Sequence, residues 1–184
     1  MTNQWKPIFT YRDPDFIQLE EKKAPLNPQP GQQQYDQVRL TLKAGRPGAV
    51  GILVRDQQIA LVSQERPAIG LTLWELPRGM GEASDQSQVA GAIREVREET
   101  GVISRDAQYL GTIYADSGLL SNPIYVVAMA FQEQAQALDQ EVSQVAWWSL
   151  EEVQTAIASG QLCDGISLAA LNLWRCAGYP LLDA

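Results

Sequence analysis

Arg94-Glu95-Val96-Arg97-Glu98-Glu99-Thr100-Gly101-Val102 closes the strongest helical pattern in the chain, over residues 87–100. A helix turns about 100° per residue. With Glu95 set at 0°, Glu99 falls at about +40° and Glu98 at about −60°, so the three carboxylates share one face. Ile93, Val96 and Thr100 fall on the opposite side, which reads as the core-facing side. Gly91 lies on the carboxylate face one turn before Glu95, where a missing side chain leaves space. Arg94 stands four residues before Glu98 and is placed to brace it. Asp85 or Ser87 caps the start, and Gly101 occupies the position where a glycine ends a helix. Carboxylates on adjacent turns repel one another. A divalent cation relieves that repulsion and supplies the positive charge a phosphate needs.

Working outward, the helix follows a strand candidate at 71–76 and a glycine-rich turn, Leu76-Pro77-Arg78-Gly79-Met80-Gly81-Glu82. Apolar runs at 49–55 and 59–64, joined by Asp56-Gln57-Gln58, predict a β-hairpin. Residues 108–115, 124–131 and 144–148 read as strands. Residues 150–158 and 166–176 read as helices, with Gly160, Gly178 and Pro180 as stop signals. Interleaved strands and helices predict an α/β layered domain. Towards the N-terminus, 37–43 alternates as a half-buried strand. Residues 24–35, rich in Pro and Gln, read as a linker.

The composition narrows the chemistry. The formal charge is −8, which disfavours a nucleic-acid partner. The 184 residues include no histidine, so imidazole bases, Ser-His triads and imidazole metal ligands are excluded. Carboxylate sites favour hard cations such as Mg²⁺ and Mn²⁺. Cys163 and Cys176 read as reduced thiols packed in helices. The sequence carries no apolar run long enough to span a bilayer and no signal-like start, so the expected location is cytoplasmic, away from membranes.

The stretch from Gly79 to Val102 resembles the Nudix box, a glycine-led loop and helix ending in Arg-Glu-x-x-Glu-Glu-x-Gly. Arg94, Glu95, Glu98, Glu99 and Gly101 match that ending. The resemblance implies a Nudix fold: an α/β/α sandwich with a mixed sheet over 46–184, with residues 1–45 as a small N-terminal β arm. It also implies Mg²⁺ or Mn²⁺ as cofactor, with Glu95, Glu98, Glu99 and the Arg78 carbonyl as ligands. Gly79, Arg94 and Gly101 take the structural places. Two box positions depart from the family, where Gln86 and Met80 replace a loop Glu and a Gly. One extra loop residue after Gly79 accounts for both.

The segment before the box, with Arg66-Pro67-Ala68-Ile69-Gly70 and Trp74-Glu75-Leu76-Pro77, is similar to the ADP-ribose pyrophosphatase branch. That likeness makes Arg66 a phosphate-binding candidate and Glu75 a candidate for hydrogen bonding to ribose or the metal shell. Trp74 either stacks on a base or fills the core. Arg78 replaces the Ala common in this branch, and an exposed guanidinium there would add positive charge. Gly160-Gln161-Leu162 with Asp164 and Ser167-Leu168 resembles the branch's closing helix. The implied activity is cleavage of a nucleoside diphosphate derivative, with ADP-ribose first. Another nucleotide sugar, an oxidised nucleotide, or a binding module without hydrolysis are the alternatives. The branch's general base lies on the loop before the last strand. Glu141 is the first choice here and Asp139 the second, with a box carboxylate such as Glu98 as the third. Residues 1–45 cannot make a core alone yet hold Trp5, Phe9, Tyr11 and Phe16. With the exchange of N-terminal strands in related dimers, this implies a homodimer.

Overall fold

The computed structural model describes residues 4–12, 16–27, 29–32, 34–136 and 142–183. They divide into two compact units, one running to Pro47 with Tyr114–Pro123, the other comprising Gly48–Ile113 with the rest of the chain from Ile124.

In the first unit, β1 (Lys6–Tyr11), β2 (Ile17–Lys22) and β3 (Gln37–Leu42) form an antiparallel sheet in that order. The sequence pattern marks only the third. Pro7 and a register shift between Pro7 and Phe9 spoil the alternation of β1, an edge strand where a proline is tolerated. The Tyr114–Pro123 segment is stitched to β3. The Leu40 amide donates to the Leu119 carbonyl at 2.7 Å, and the Asn122 side chain accepts from the Leu42 amide and donates to the Leu42 and Arg46 carbonyls. The buried Glu20 accepts from Arg39 Nε and Thr41 Oγ1, which satisfies its charge. A cavity of about 620 Å³ opens between Trp5, Tyr35, Arg39, Tyr114, Leu119 and Ser121.

The second unit carries β4 (Gly48–Arg55), β5 (Gln58–Arg66), β6 (Leu71–Glu75), β7 (Arg78–Met80), α1 (Gln88–Thr100), β8 (Val102–Ile113), β9 (Ile124–Gln134), β10 (Val142–Ser149), α2 (Leu150–Ser159) and α3 (Gly165–Cys176). The sheet order is β10-β5-β4-β9-β8, with β6 on β5 and β7 on β4. Within this sheet only the β4–β9 pairing is parallel among the described residues, so the sheet is mixed. Asp56 and Gln57 both have positive φ (49° and 62°) and form the two-residue turn that suits the twist of the β4–β5 hairpin.

The unbroken apolar runs of β4, β5 and β9 follow from cover on both sheet faces. Val50, Ile52, Val54, Ile59, Leu61, Val126 and Ala128 face the cluster built with Val153, Ala156, Ala170, Leu171 and Trp174 of α2 and α3. The alternate residues Ala49, Leu53, Ala60, Val127 and Met129 face Ala92 and Val96 of α1. This is the expected α/β/α sandwich.

Ser87 caps α1 through its side chain, and Gly101 (φ 70°) ends it. One expectation fails. Ile93 is 37% exposed, whereas Glu95 and Glu99 are buried beside Ala92, Val96 and Thr100. The helix is rotated so that its inward face lies between the carboxylate stripe and the apolar stripe. Gly51 of β4 makes this possible, since a Cβ there would meet Val96 Cγ2 at 2.3 Å. Two other expectations are corrected. Both cysteines are free and exposed, Cys163 before α3 and Cys176 at its last residue. β8 begins at Val102, six residues before the run marked by its sequence pattern, because it continues directly from the helix end. No helix among the described residues is long and apolar enough to cross a membrane.

Gly51→Ala overpacks this helix–strand contact. Its unfolding free energy should fall by about 1–3 kcal/mol, read as a lower urea midpoint at unchanged slope. An unchanged midpoint would mean that α1 does not sit this close to β4.

Candidate functional site

Four strand ends and two helix ends meet around the glycine-rich turn. β5 ends at Arg66. β6 returns along it, opposing Glu75 to Val62. The Pro77 carbonyl accepts from the Gly51 amide at 2.9 Å, and β7 then pairs Arg78 with Val50 and Gly79 with Ala49. This short strand was invisible to periodicity because three residues with a central glycine look like a loop. Its pairing with β4 carries Arg78 and Gly79 under α1.

Gly79 is the seat of Glu95. A Cβ at this position would lie 2.3 Å from Glu95 Oε2, so only glycine lets the carboxylate rest against the strand. The neighbouring amide of Arg78 donates to Glu99 Oε2 at 3.2 Å. Glu98 is more exposed, and its Oε2 lies 2.8 Å from Arg94 Nη1. Arg94 also reaches Glu95 Oε1 at 2.8 Å and donates to the Met80 carbonyl at 3.1 Å. Its fourth partner is Asp85, which accepts at 3.2 Å on both oxygens and also takes the Glu82 amide at 2.7 Å. The sequence offered Asp85 only as a cap. Its position as an Arg94 brace comes from the fold of the loop that carries Met80 and Gln86.

Burial pushes the Glu95 carboxyl up to about 7 against the pull of Arg94, with Glu98 and Asp85 adding to the rise. Burial pushes Glu99 up to about 8, with repulsion from Glu95 next and the Arg78 amide opposing it. Two buried carboxyls that resist ionisation on their own fit a hard cation, which would stabilise both charged forms. Their oxygen donors, with Glu95 seated against Gly79 and Glu99 at the Arg78 amide, suit such an ion. As they stand, no three acidic, Cys or His side chains among the described residues are gathered around a common point. Glu98 is turned onto Arg94.

A second polar group adjoins the pair. Glu75 is fully buried and accepts from Arg66 Nη2 at 2.5 Å and from Arg78 Nη2 at 2.8 Å. Burial raises its pKa, and the two guanidinium groups oppose that rise. The same Arg78 nitrogen donates to Asp164 Oδ1 at 3.1 Å. Asp164 Oδ2 caps α3 by accepting from the amide and hydroxyl of Ser167 at 2.8 and 2.7 Å. Ser167 Oγ accepts from the Leu76 amide at 2.9 Å. The Arg78 side chain is thus 19% exposed and paired with two carboxylates. The Nε atoms of Arg66 and Arg78 have no hydrogen-bond partner. Trp74 packs at 5.2 Å from Trp148 on the α2–α3 side of the core. Glu141 and Asp139 lie outside the described residues. The strand before them is tied to the helix end. The Ala135 amide donates to the Gly101 carbonyl at 2.6 Å, and Gln134 Nε2 donates to the Thr100 carbonyl at 3.1 Å.

A family model described as NUDIX domain matches residues 45–164. An ADP-ribose pyrophosphatase of Mycobacterium tuberculosis (strain ATCC 25618 / H37Rv) is 28% identical over 130 residues, 67% of this chain and 63% of that protein. An NAD-capped RNA hydrolase, NudC, of the same strain is 30% identical over 120 residues, 61% of this chain and 36% of that protein. The chain thus spans less than two thirds of either relative. The fold resembles that of a solved ADP compounds hydrolase, with a TM-score of 0.74, 14% identity, and coverage of 94% of this chain and 90% of the other.

The raised carboxyls make the metal-free protein pH-sensitive. A folded-state pKa above the unfolded 4.5 means that stability is fully present below about pH 4.5 and is lost as the pH rises through about 7 to 8. The metal-free melting temperature should therefore fall between pH 5 and 8, and Glu99→Gln should flatten the slope. A wild-type profile level across that window would exclude the burial described for these groups.

Proposed function

Because the chain belongs to the Nudix family, its residues 45–164 matching the domain model, we propose that it hydrolyses the diphosphate of a nucleoside diphosphate derivative. The substrate of this reading is ADP-ribose, cleaved to AMP and ribose 5-phosphate, with Mg²⁺ or Mn²⁺ as cofactor. The carrying observation is the pair of buried carboxyls, Glu95 and Glu99, lying against Gly79 and the Arg78 amide on the matched box.

Glu95, Glu98 and Glu99, with the Arg78 carbonyl, would hold the cation. When bound, it supplies charge neutralisation for the diphosphate and polarises the attacking water. The remaining work falls to the chain. Arg66 stands at a strand end beside Glu75 with its side chain 27% exposed, which leaves the guanidinium placed to donate to a phosphate oxygen. Glu75 fixes the directions of both Arg66 and Arg78. Hydrolysis joins the water oxygen to one phosphorus and breaks that phosphorus's bond to the bridging oxygen. The departing proton goes to a carboxylate, for which Glu141 and then Asp139 are the assignments, with Glu98 third. The ADP-ribose choice draws support from the similarity to a pyrophosphatase of that substrate.

We also assign the chain to a homodimer. All six residues of β1 are exposed, and Ile8, Phe9 and Tyr11 are each about half exposed on an edge strand. Such an edge favours pairing with a second strand.

A panel of ADP-ribose, ADP-glucose, GDP-mannose, NADH and nucleoside triphosphates with Mg²⁺ and Mn²⁺ tests the substrate. ADP-ribose should give the highest kcat/KM, and a higher value for any other member would replace it. Glu99→Gln should lower turnover at least about 100-fold, or about 2.7 kcal/mol of barrier. Wild-type turnover in this variant would remove Glu99 from the reaction. Sedimentation at micromolar concentration should give twice the chain mass, and a monomer would refute the dimer.

A further inference from the structure

Asp164 stands outside the carboxylate helix, and no step of the reaction described above uses it. Its two oxygens have divided duties. Oδ2 accepts from the amide and hydroxyl of Ser167 and so caps α3. Oδ1 is left to Arg78 Nη2, 3.1 Å away. That nitrogen has two protons, and the second goes to Glu75 Oε2 at 2.8 Å. The Arg78 side chain is thereby held from both sides. Its exposure is 19%, and those of Glu75 and Asp164 are 0% and 10%, so solvent screens these contacts little.

The backbone of this residue is where the anchoring matters. The Arg78 amide supports Glu99, and Gly79, the next residue, seats Glu95. β7 has only three residues and is flanked by Pro77 and the loop after Met80, so its pairing with β4 is short. Ser167 adds a second link from the same cap by accepting the Leu76 amide. The α3 cap therefore holds the β6–β7 connection at Leu76 and at Arg78, the two residues flanking Pro77.

We propose that Asp164 is a positioning residue for the Glu95–Glu99 pair, acting through Arg78. By fixing the guanidinium, it fixes the Arg78-Gly79 segment on which both carboxylates rest. The assignment rests on the reading of that pair as the holder of a divalent cation, and it extends the reading to a residue about 65 positions later in the chain.

Asn caps a helix about as well as Asp but carries no charge for Arg78. Asp164→Asn in the full chain therefore separates positioning from capping. Its melting temperature should stay near that of the wild type. Its Mn²⁺ affinity, read by electron paramagnetic resonance titration, should weaken about fivefold. Its kcat on the best substrate of the panel should fall about tenfold, with KM changed less than about threefold. Arg78→Ala should show the same losses, and the double variant should be no worse than the worse single one, because the two residues act in series. Wild-type Mn²⁺ affinity in Asp164→Asn overturns the proposal, even with a reduced kcat, since Asp164 would then act elsewhere. Losses that multiply in the double variant also overturn it. Failure of the wild type to cleave ADP-ribose removes only the substrate assignment, because the Mn²⁺ titration reads the positioning role without turnover. A wild type that binds no Mn²⁺ removes the cation reading and this role together.

Discussion

The close approach of one helix to two glycines underlies the whole site. Helix α1 reaches the sheet where Gly51 lacks a side chain, and its carboxylates reach the turn where Gly79 lacks one. Packing at this distance carries Glu95 and Glu99 out of water along with Ala92 and Val96. Burial of acidic groups is ordinarily unfavourable. Here the penalty is partly offset by the Arg94 guanidinium and the Arg78 amide, and the remainder appears as carboxyls that resist losing their protons. The site is thus strained in charge rather than in backbone, which is the condition a cation relieves.

Two arginines organise the surroundings in different ways. Arg94 gathers Asp85, Glu95, Glu98 and the Met80 carbonyl, and so ties the box loop to the helix that follows it. Arg78 reaches outwards, from the end of β6 to the start of α3. The first arrangement is local in sequence. The second joins elements on opposite faces of the sheet, because Glu99 belongs to α1 and Asp164 to the α3 cap. The β6–β7 connection around Pro77, bonded to β4 in the middle of the sheet, is where contacts from the two layers meet.

Much of this fold is legible in the sequence. The apolar runs of β4, β5 and β9, the Ser87 cap and the Gly101 stop are local signals, and local physics reads them well. The shared burial of Glu95 and Glu99 follows from their spacing on one helix, whereas Glu98 is turned onto Arg94. The rotation of α1 was not legible, since it is set by absent side chains on other strands, and this is why Ile93 is on the outside. Strand β7 exists only through pairing with β4, and β1 is masked by a proline and a bulge. Likewise, the sequence marks Asp85 only as a possible cap and Asp164 only as part of a closing-helix resemblance, and neither reading points to an arginine partner. Their contacts with Arg94 and Arg78 span nine and 86 positions, and the second exists only after folding.

The ties at the end of β9 have a mechanical corollary. Gln134 and Ala135 are fastened to Thr100 and Gly101, the last turn of the carboxylate helix, while Val142 is paired with Gln64, two residues before Arg66. Both anchors therefore belong to the scaffold of the site itself, so a change that loosens the end of α1 or the end of β5 would be felt at Gln134 or at Val142 as well.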